Sequence, residues 1–235
     1  MEKKEKFEED LNKIISSFAD NGKLFSNERQ FQLEFAWALK GLKYEVFLEV
    51  LDRDSIDDKK SYIDIMVKVS ENKYVAIELK YTTRQNNIDY IIGTGSNNVV
   101  CTFAQGACDV RQLDFLYDVY RLECLLSKPK ITKGYAIIMT NDNYSGKDGN
   151  GTKYEKVALY DGRTIGPNEE IGIGTKGYEK RKFKLKYRYT CNWKDYDLKN
   201  TEILYYTDSG KEIKKEYGKN PFKYMIWKVD SGENT

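Results

Sequence analysis

The segment SYIDIMVKVSENKYVAIELKY, Ser61 to Tyr81, decides the fold, because apolar and polar residues alternate along it in two runs separated by a polar turn. This is the period of a β-hairpin. Val69 and Lys73 closing a loop of Ser70, Glu71 and Asn72, with Asn72 in the left-handed conformation, predict a register in which Asp64 faces Glu78 and Tyr62 faces Lys80. A four-residue loop would instead bring Glu78 across from Ile65. In the predicted register Ile63, Ile65, Val67 and Val69 form one apolar face with Val75, Ile77 and Leu79. Asp64, Glu78 and Lys80 share the other. Directly opposed carboxylates repel by about 3 kcal/mol at an effective dielectric near 20. A hard divalent cation reverses that sign, since Mg²⁺ is commonly held by one or two carboxylates with water and phosphate oxygens. Lys80, on the same face, would hold an attacking water or neutralise developing negative charge.

Working outward, Phe7, Leu11, Ile14, Ile15 and Phe18 lie at helical spacing, and a second helix follows with Ser26 or Asn27 as N-cap and Gly41 as its stop. Its stripe is Phe31, Phe35, Ala38, Leu39 and Leu42. YEVFLEVL reads as a strand before the hairpin. After an ambiguous segment containing IIGTGSNN, a helix carries Leu113, Leu116, Tyr117, Tyr120 and Cys124 on one face, and KGYAIIMTND forms an apolar strand. Beyond Asn141 the chain turns polar and glycine-rich, then offers RKFKLKYRYTCNW and PFKYMIWKV as further strands. The expected architecture is α/β, with an N-terminal helix and core over residues 1–142 and a glycine-rich loop and β-rich extension over 143–235, packed on the same domain.

There is no histidine in the 235 residues, which removes Ser-His-Asp and Cys-His nucleophiles, HNH-type chemistry and the usual zinc hydrolase sites. The 39 basic residues barely exceed the 37 acidic ones, so net charge neither demands nor excludes nucleic acid. Four cysteines without a paired spacing predict reduced thiols, and no apolar run is long enough for a membrane span, so a cytoplasmic protein is expected.

Asp64 in YIDI, Glu78 and Lys80 in IELK, and Glu34 in the preceding helix together resemble the motif of the PD-(D/E)XK, or restriction-endonuclease-like, nucleases. The resemblance covers roughly residues 26–142 and includes the αβββαβ order of elements around a mixed sheet; Ile63 stands where the motif has proline. It implies that Asp64 and Glu78 bind Mg²⁺, with Mn²⁺ as substitute, that the Leu79 carbonyl is a backbone ligand, and that Lys80 serves catalysis. Glu34 would complete the metal shell. The helix QGACDVRQLDFLYDVYRLE is also similar to a group of bacterial proteins of this nuclease class, a likeness that gives no activity beyond the class.

That resemblance implies phosphodiester hydrolysis, with DNA as the favoured substrate, in defence, restriction or repair. A non-catalytic member binding nucleic acid or protein stays open, as does a homodimer. Gln105, Arg111 and Gln112 near the start of the third helix are candidate phosphate contacts, while Asp118 with Arg121 reads as an intrahelical ion pair. Lys182, Lys184, Lys186 and Arg188 alternate with Phe183, Leu185, Tyr187 and Tyr189, predicting a strand with one basic face. That face is either an edge guard or a phosphate-binding surface.

Overall fold

The computed structural model of the protein describes residues 2–52, 61–83, 88–94, 98–102, 107–146, 148–152, 154–198, 201–207, 212–215 and 222–230. Helix α1 (Glu2–Asp20) buries Phe7, Leu11, Ile14, Ile15 and Phe18, the stripe its spacing predicts. Helix α2 (Glu28–Gly41) starts where Asn27 caps it, its side-chain oxygen accepting from the Gln30 N–H at 2.9 Å. It buries Phe31, Phe35 and Leu39, while Leu42, just past its end, stays exposed.

Strands β1 (Glu45–Asp52), β2 (Ser61–Ser70) and β3 (Lys73–Thr82) form an antiparallel meander. After β4 (Ile88–Thr94) and β5 (Asn98–Thr102), helix α3 (Cys108–Leu125) carries the chain over the sheet to β6 (Ile131–Thr140), which lies parallel to β3. The extension contributes β7 (Thr164–Ile165), β8 (Tyr189–Thr190), β9 (Lys194–Asp195), β10 (Thr201–Thr207), β11 (Glu212–Lys215) and β12 (Lys223–Val229). The main sheet is six-stranded and mixed, in the order β1-β2-β3-β6-β12-β9. Thus the PFKYMIWKV strand extends the core sheet instead of forming a separate layer. Strands β4 and β5, ambiguous in the sequence, pair with β10 and β11 in a second, four-stranded sheet.

Both faces of the main sheet are covered. On one, α1 and α2 pack over Ile65, Val67, Val75, Ile77, Leu79 and Tyr81; on the other, α3 and the extension pack over Ala76, Ala136 and Ile138. Small residues let α3 come close. A Cβ on Gly134 of β6 would meet the Leu122 Cβ at 3.0 Å, so glycine there allows the helix to rest almost on the strand. Among the described residues no helix is long and apolar enough to cross a membrane, and Cys108, Cys124 and Cys191 are free thiols.

The hairpin keeps the predicted register, with Ile65 opposite Ile77 and Val67 opposite Val75. Its turn is tighter than expected: Ser70 pairs with Lys73, Asn72 takes φ 55°, and an irregularity between Lys68 and Ser70 absorbs Val69. Two expectations fail further along. The β2–β3 ladder stops at Ile65–Ile77, so Asp64 and Glu78 are not a laddered pair, nor are Tyr62 and Lys80. Ile63 joins the α3-side core, not the face of Ile65. Val50, the partner of Ile63, packs on the α3 side as well, whereas Val46, the partner of Val67, packs on the α2 side. The two strands therefore change faces together at Glu49 and Asp64, where Glu49 has φ 51° and drops out of the β1–β2 ladder.

RKFKLKYRYTCNW is also not a continuous strand. Its pairing reduces to a bridge between Phe183 and Ile171 and the two residues of β8, because the glycine-rich segment opposite offers only β7 and Ile171 to pair with. Alternation survives without the ladder: Phe183, Leu185 and Tyr189 are buried, and Lys182, Lys184, Lys186 and Arg188 are exposed.

Candidate functional site

Asp64 lies where the β2–β3 ladder has ended and the β1–β2 ladder skips one pair. The gap is held open by Gln32 of α2, whose Nε2 donates to the Asp64 carbonyl and to Glu49 Oε1, each at 2.8 Å. Across it the Asp64 carboxylate replaces the missing backbone acceptor, taking the Leu79 N–H at 2.7 Å. A non-glycine residue at positive φ costs of order 1 kcal/mol or more and persists only where its surroundings over-determine it. Gln32 is that surrounding.

Glu78 and Lys80 project from β3 toward α3, onto a face that is polar as predicted yet covered. Glu78 is 3% exposed. Its Oε1 is buried without a hydrogen bond, and the Arg121 guanidinium of α3 stands 3.2 Å from it. Arg121 also donates to the Tyr62 carbonyl at 2.7 Å and pairs with Asp118 at 3.4 Å, the intrahelical pair expected from spacing. Lys80 Nζ is 3.1 Å from Asp118 and 3.6 Å from Glu28. Glu28, in the first turn of α2, accepts the Tyr81 N–H at 3.0 Å, so the end of β3 is tied to the start of α2.

Crowding and burial work against ionising these acids. Burial, with Asp118 and Glu28 nearby, pushes the Asp64 carboxyl up to about 6 despite its bond from the Leu79 N–H. Burial, then Asp118 and Asp64, hold Glu78 well above the usual carboxylate range, with Arg121 and Lys80 only partly compensating. Glu28 is raised by burial as well. Burial opposes the Lys80 charge, but Asp118, Glu28 and Asp64 outweigh it, so the ammonium is held above its ordinary range. Those acids thus favour the charged form of Lys80.

Glu28, Asp64, Glu78 and Asp118 thus share, among the described residues, Lys80 and Arg121. Among the described residues no group of three or more His, Cys, Asp or Glu stands close enough to hold a metal ion. The donor set still suits a hard divalent cation: Asp64 and Glu78 are two carboxylates whose ionisation the surroundings penalise, and the Glu78 Oε1 is buried without a hydrogen bond. Two carboxylates, with water and phosphate completing the shell, suffice for Mg²⁺.

Glu34 is placed elsewhere, in an ion pair with Lys23 at 2.6 Å. Glu28, six residues earlier, is the α2 carboxylate that reaches Lys80. On a helix that interval is about 240° of rotation and about 9 Å of rise, so the two cannot serve one site. Leu79 sits beside Asp64 through its N–H. Arg111 is committed to the Thr83 carbonyl at 2.6 Å and to buried Asp142 at 3.6 Å. Gln112 is buried and accepts the Leu159 N–H at 2.9 Å, bracing the extension against α3. Both are therefore structural supports in place of free phosphate contacts, while Gln105 lies outside the described residues. Lys182 faces Glu170 at 3.7 Å, and the run from Lys184 to Arg188 hangs from α3 through Glu123, which accepts the N–H groups of Lys186 at 2.8 Å and Tyr187 at 3.0 Å.

A cavity of about 580 Å³ opens in the glycine-rich extension between Asp148, Glu155, Arg163 and Glu169, and no residue of the acidic cluster lines it. Arg163 there is already bonded to the Ala158 carbonyl at 2.6 Å, so the clustered carboxylates are the better chemical candidate. No protein-family model, curated protein or solved structure matches this chain.

Proposed function

We propose that the protein is a restriction-endonuclease-like, Mg²⁺-dependent phosphodiesterase acting on nucleic acid, with DNA as the favoured substrate. What carries the reading is the meeting of Asp64, Glu78 and Lys80 where β2 parts from β3, in a cluster that has more carboxylates than cations among the described residues. The order α2-β1-β2-β3-α3-β6 around the main sheet, with β4 and β5 set aside in a second sheet, and the parallel β3–β6 pairing support the fold assignment.

In this reading Asp64 and Glu78 would hold the metal, with the Leu79 carbonyl beside them, and Glu28 would hold Lys80 in position. The bound metal supplies Lewis-acid stabilisation of the phosphate and a more acidic water. Lys80, charged and fixed by Asp118 and Glu28, orients the incoming water and offsets the charge that grows on the phosphoryl oxygens. It does so as a hydrogen-bond donor, not as a base. The exposed Lys182, Lys184, Lys186 and Arg188 would position the backbone without reading sequence. A non-catalytic nucleic-acid-binding member is the second reading, favoured by the ion pairs that close the cluster on itself.

Substitutions in α2 separate the two. Plasmid nicking in Mg²⁺ should fall by about 100-fold or more in Glu28→Gln and stay within about threefold of wild type in Glu34→Gln. Equal activity of Glu28→Gln and wild type would remove Glu28 from the site. Absence of metal-dependent nicking in wild type would favour the binding module.

A further inference from the structure

We propose that Arg121 is the resident counter-ion of Glu78, and that a divalent cation takes Glu78 by displacing it. This inference rests on the metal-dependent reading of the cluster and names the residue that sets metal affinity. Arg121 comes from α3, outside the acidic motif, and its side chain is only 16% exposed. One prong, Nη2, stands 3.2 Å from Glu78 Oε1, the carboxylate oxygen buried without a hydrogen bond. The other, Nη1, is 3.4 Å from Asp118 Oδ1. The guanidinium therefore spans two acids and has a second anchor when it leaves the first. Nη2 itself also donates to the Tyr62 carbonyl at 2.7 Å, so the nitrogen that gives up Glu78 keeps a neutral acceptor.

A cation bound to Glu78 at the short distance of Mg²⁺ ligation would stand within a few ångström of Nη2, where charge repulsion is strong because the surroundings exclude water. Glu78 cannot keep both partners at full strength. Asp118 can receive the displaced guanidinium, but it also holds Lys80 at 3.1 Å. Metal entry, Arg121 release and the hold on Lys80 are thereby coupled through one aspartate.

The test measures Mn²⁺ binding at pH 8, from the loss of the free-ion paramagnetic resonance signal, for wild type, Arg121→Gln and Arg121→Lys, each also melted without metal. Lysine keeps the charge but lacks the planar fork that spans Glu78 and Asp118 together. Competition predicts affinity at least about tenfold tighter in both variants, and Mn²⁺ raising their melting temperatures more than that of wild type. Unchanged or weaker affinity in both would overturn the proposal, leaving Arg121 as a structural pair. Tighter binding in Arg121→Gln alone would overturn it too, since a general field effect would then explain the gain. Should Arg121→Gln fail to melt cooperatively, Arg121→Lys decides by the same criterion; should Arg121→Lys fail, Lys80→Gln replaces it as the control, and equal tightening there would overturn the proposal as a field effect. If wild type and both variants fold and none binds Mn²⁺, the metal-dependent reading itself falls, a result distinct from wild-type binding that the variants do not tighten.

Discussion

At the residue scale, Asp64 bears a cost that its chemistry explains. In the folded protein burial lifts its carboxyl to about 6, from an ordinary 3.8. A carboxylate raised on folding binds its proton more tightly in the folded state, so metal-free stability falls as pH rises from about 4 to about 6 and stays lowered above that. The penalty amounts to at most about 3 kcal/mol. Asp64→Asn, which can still accept the Leu79 N–H, should therefore melt higher than wild type at pH 8 in chelator. The gain should vanish near pH 4, and Mn²⁺ should no longer raise the melting temperature. A variant that melts lower than wild type at pH 8 would mean that the Asp64 charge is stabilised in the fold. Metal affinity of wild type should rise with pH through and above 6, because Asp64 and Glu78 must both lose protons to bind.

Among the elements, the hairpin was legible because its information is local: alternation fixes which side chains share a face, and Asn72 accepts the left-handed turn. The helical stripes of α1 and α2 were legible for the same reason. What was hidden depends on partners distant in sequence. The end of the β2–β3 ladder and the skipped β1–β2 pair at Asp64 come with Glu49 at positive φ and Gln32 bridging from another element, and neither residue announces this in its own surroundings. Glu28 was missed in favour of Glu34 because both are helix-surface acids. Only the meeting of the α2 start with the Tyr81 N–H distinguishes them. Asp118 and Arg121 were read correctly as a pair, but their contacts to Lys80 and Glu78 follow from how closely α3 rests on β6 at Gly134. The basic run kept its alternation while losing its ladder, since the burial of Phe183, Leu185 and Tyr189 needs no paired strand.

For the whole molecule, α3 links the two parts of the proposed function. Its middle turns hold Lys80 and Glu78 through Asp118 and Arg121, and Glu123 near its end anchors the basic run of the extension. The extension is thus tied to the core both through Glu123 of α3 and through β12 in the main sheet. If the basic run contacts phosphates, Lys184→Glu with Lys186→Glu should weaken binding to duplex DNA most at low salt. The slope of log affinity against log salt should shrink by about 1.8, or about 0.9 for each lost contact. An unchanged slope would place the phosphates elsewhere. Neither lysine touches the acidic cluster in the contacts described, so the variant should retain the metal response of wild type.

The most direct test is cleavage in Mg²⁺ and in Mn²⁺ of a panel comprising supercoiled plasmid, linear duplex, single-stranded and branched DNA, and RNA, by wild type and by Lys80→Ala purified identically. Wild type should cut at least one DNA of the panel, chelator should abolish the cutting, and Lys80→Ala should lose it by about 100-fold or more. Cutting that survives in Lys80→Ala, or that needs no divalent cation, would contradict the proposed function.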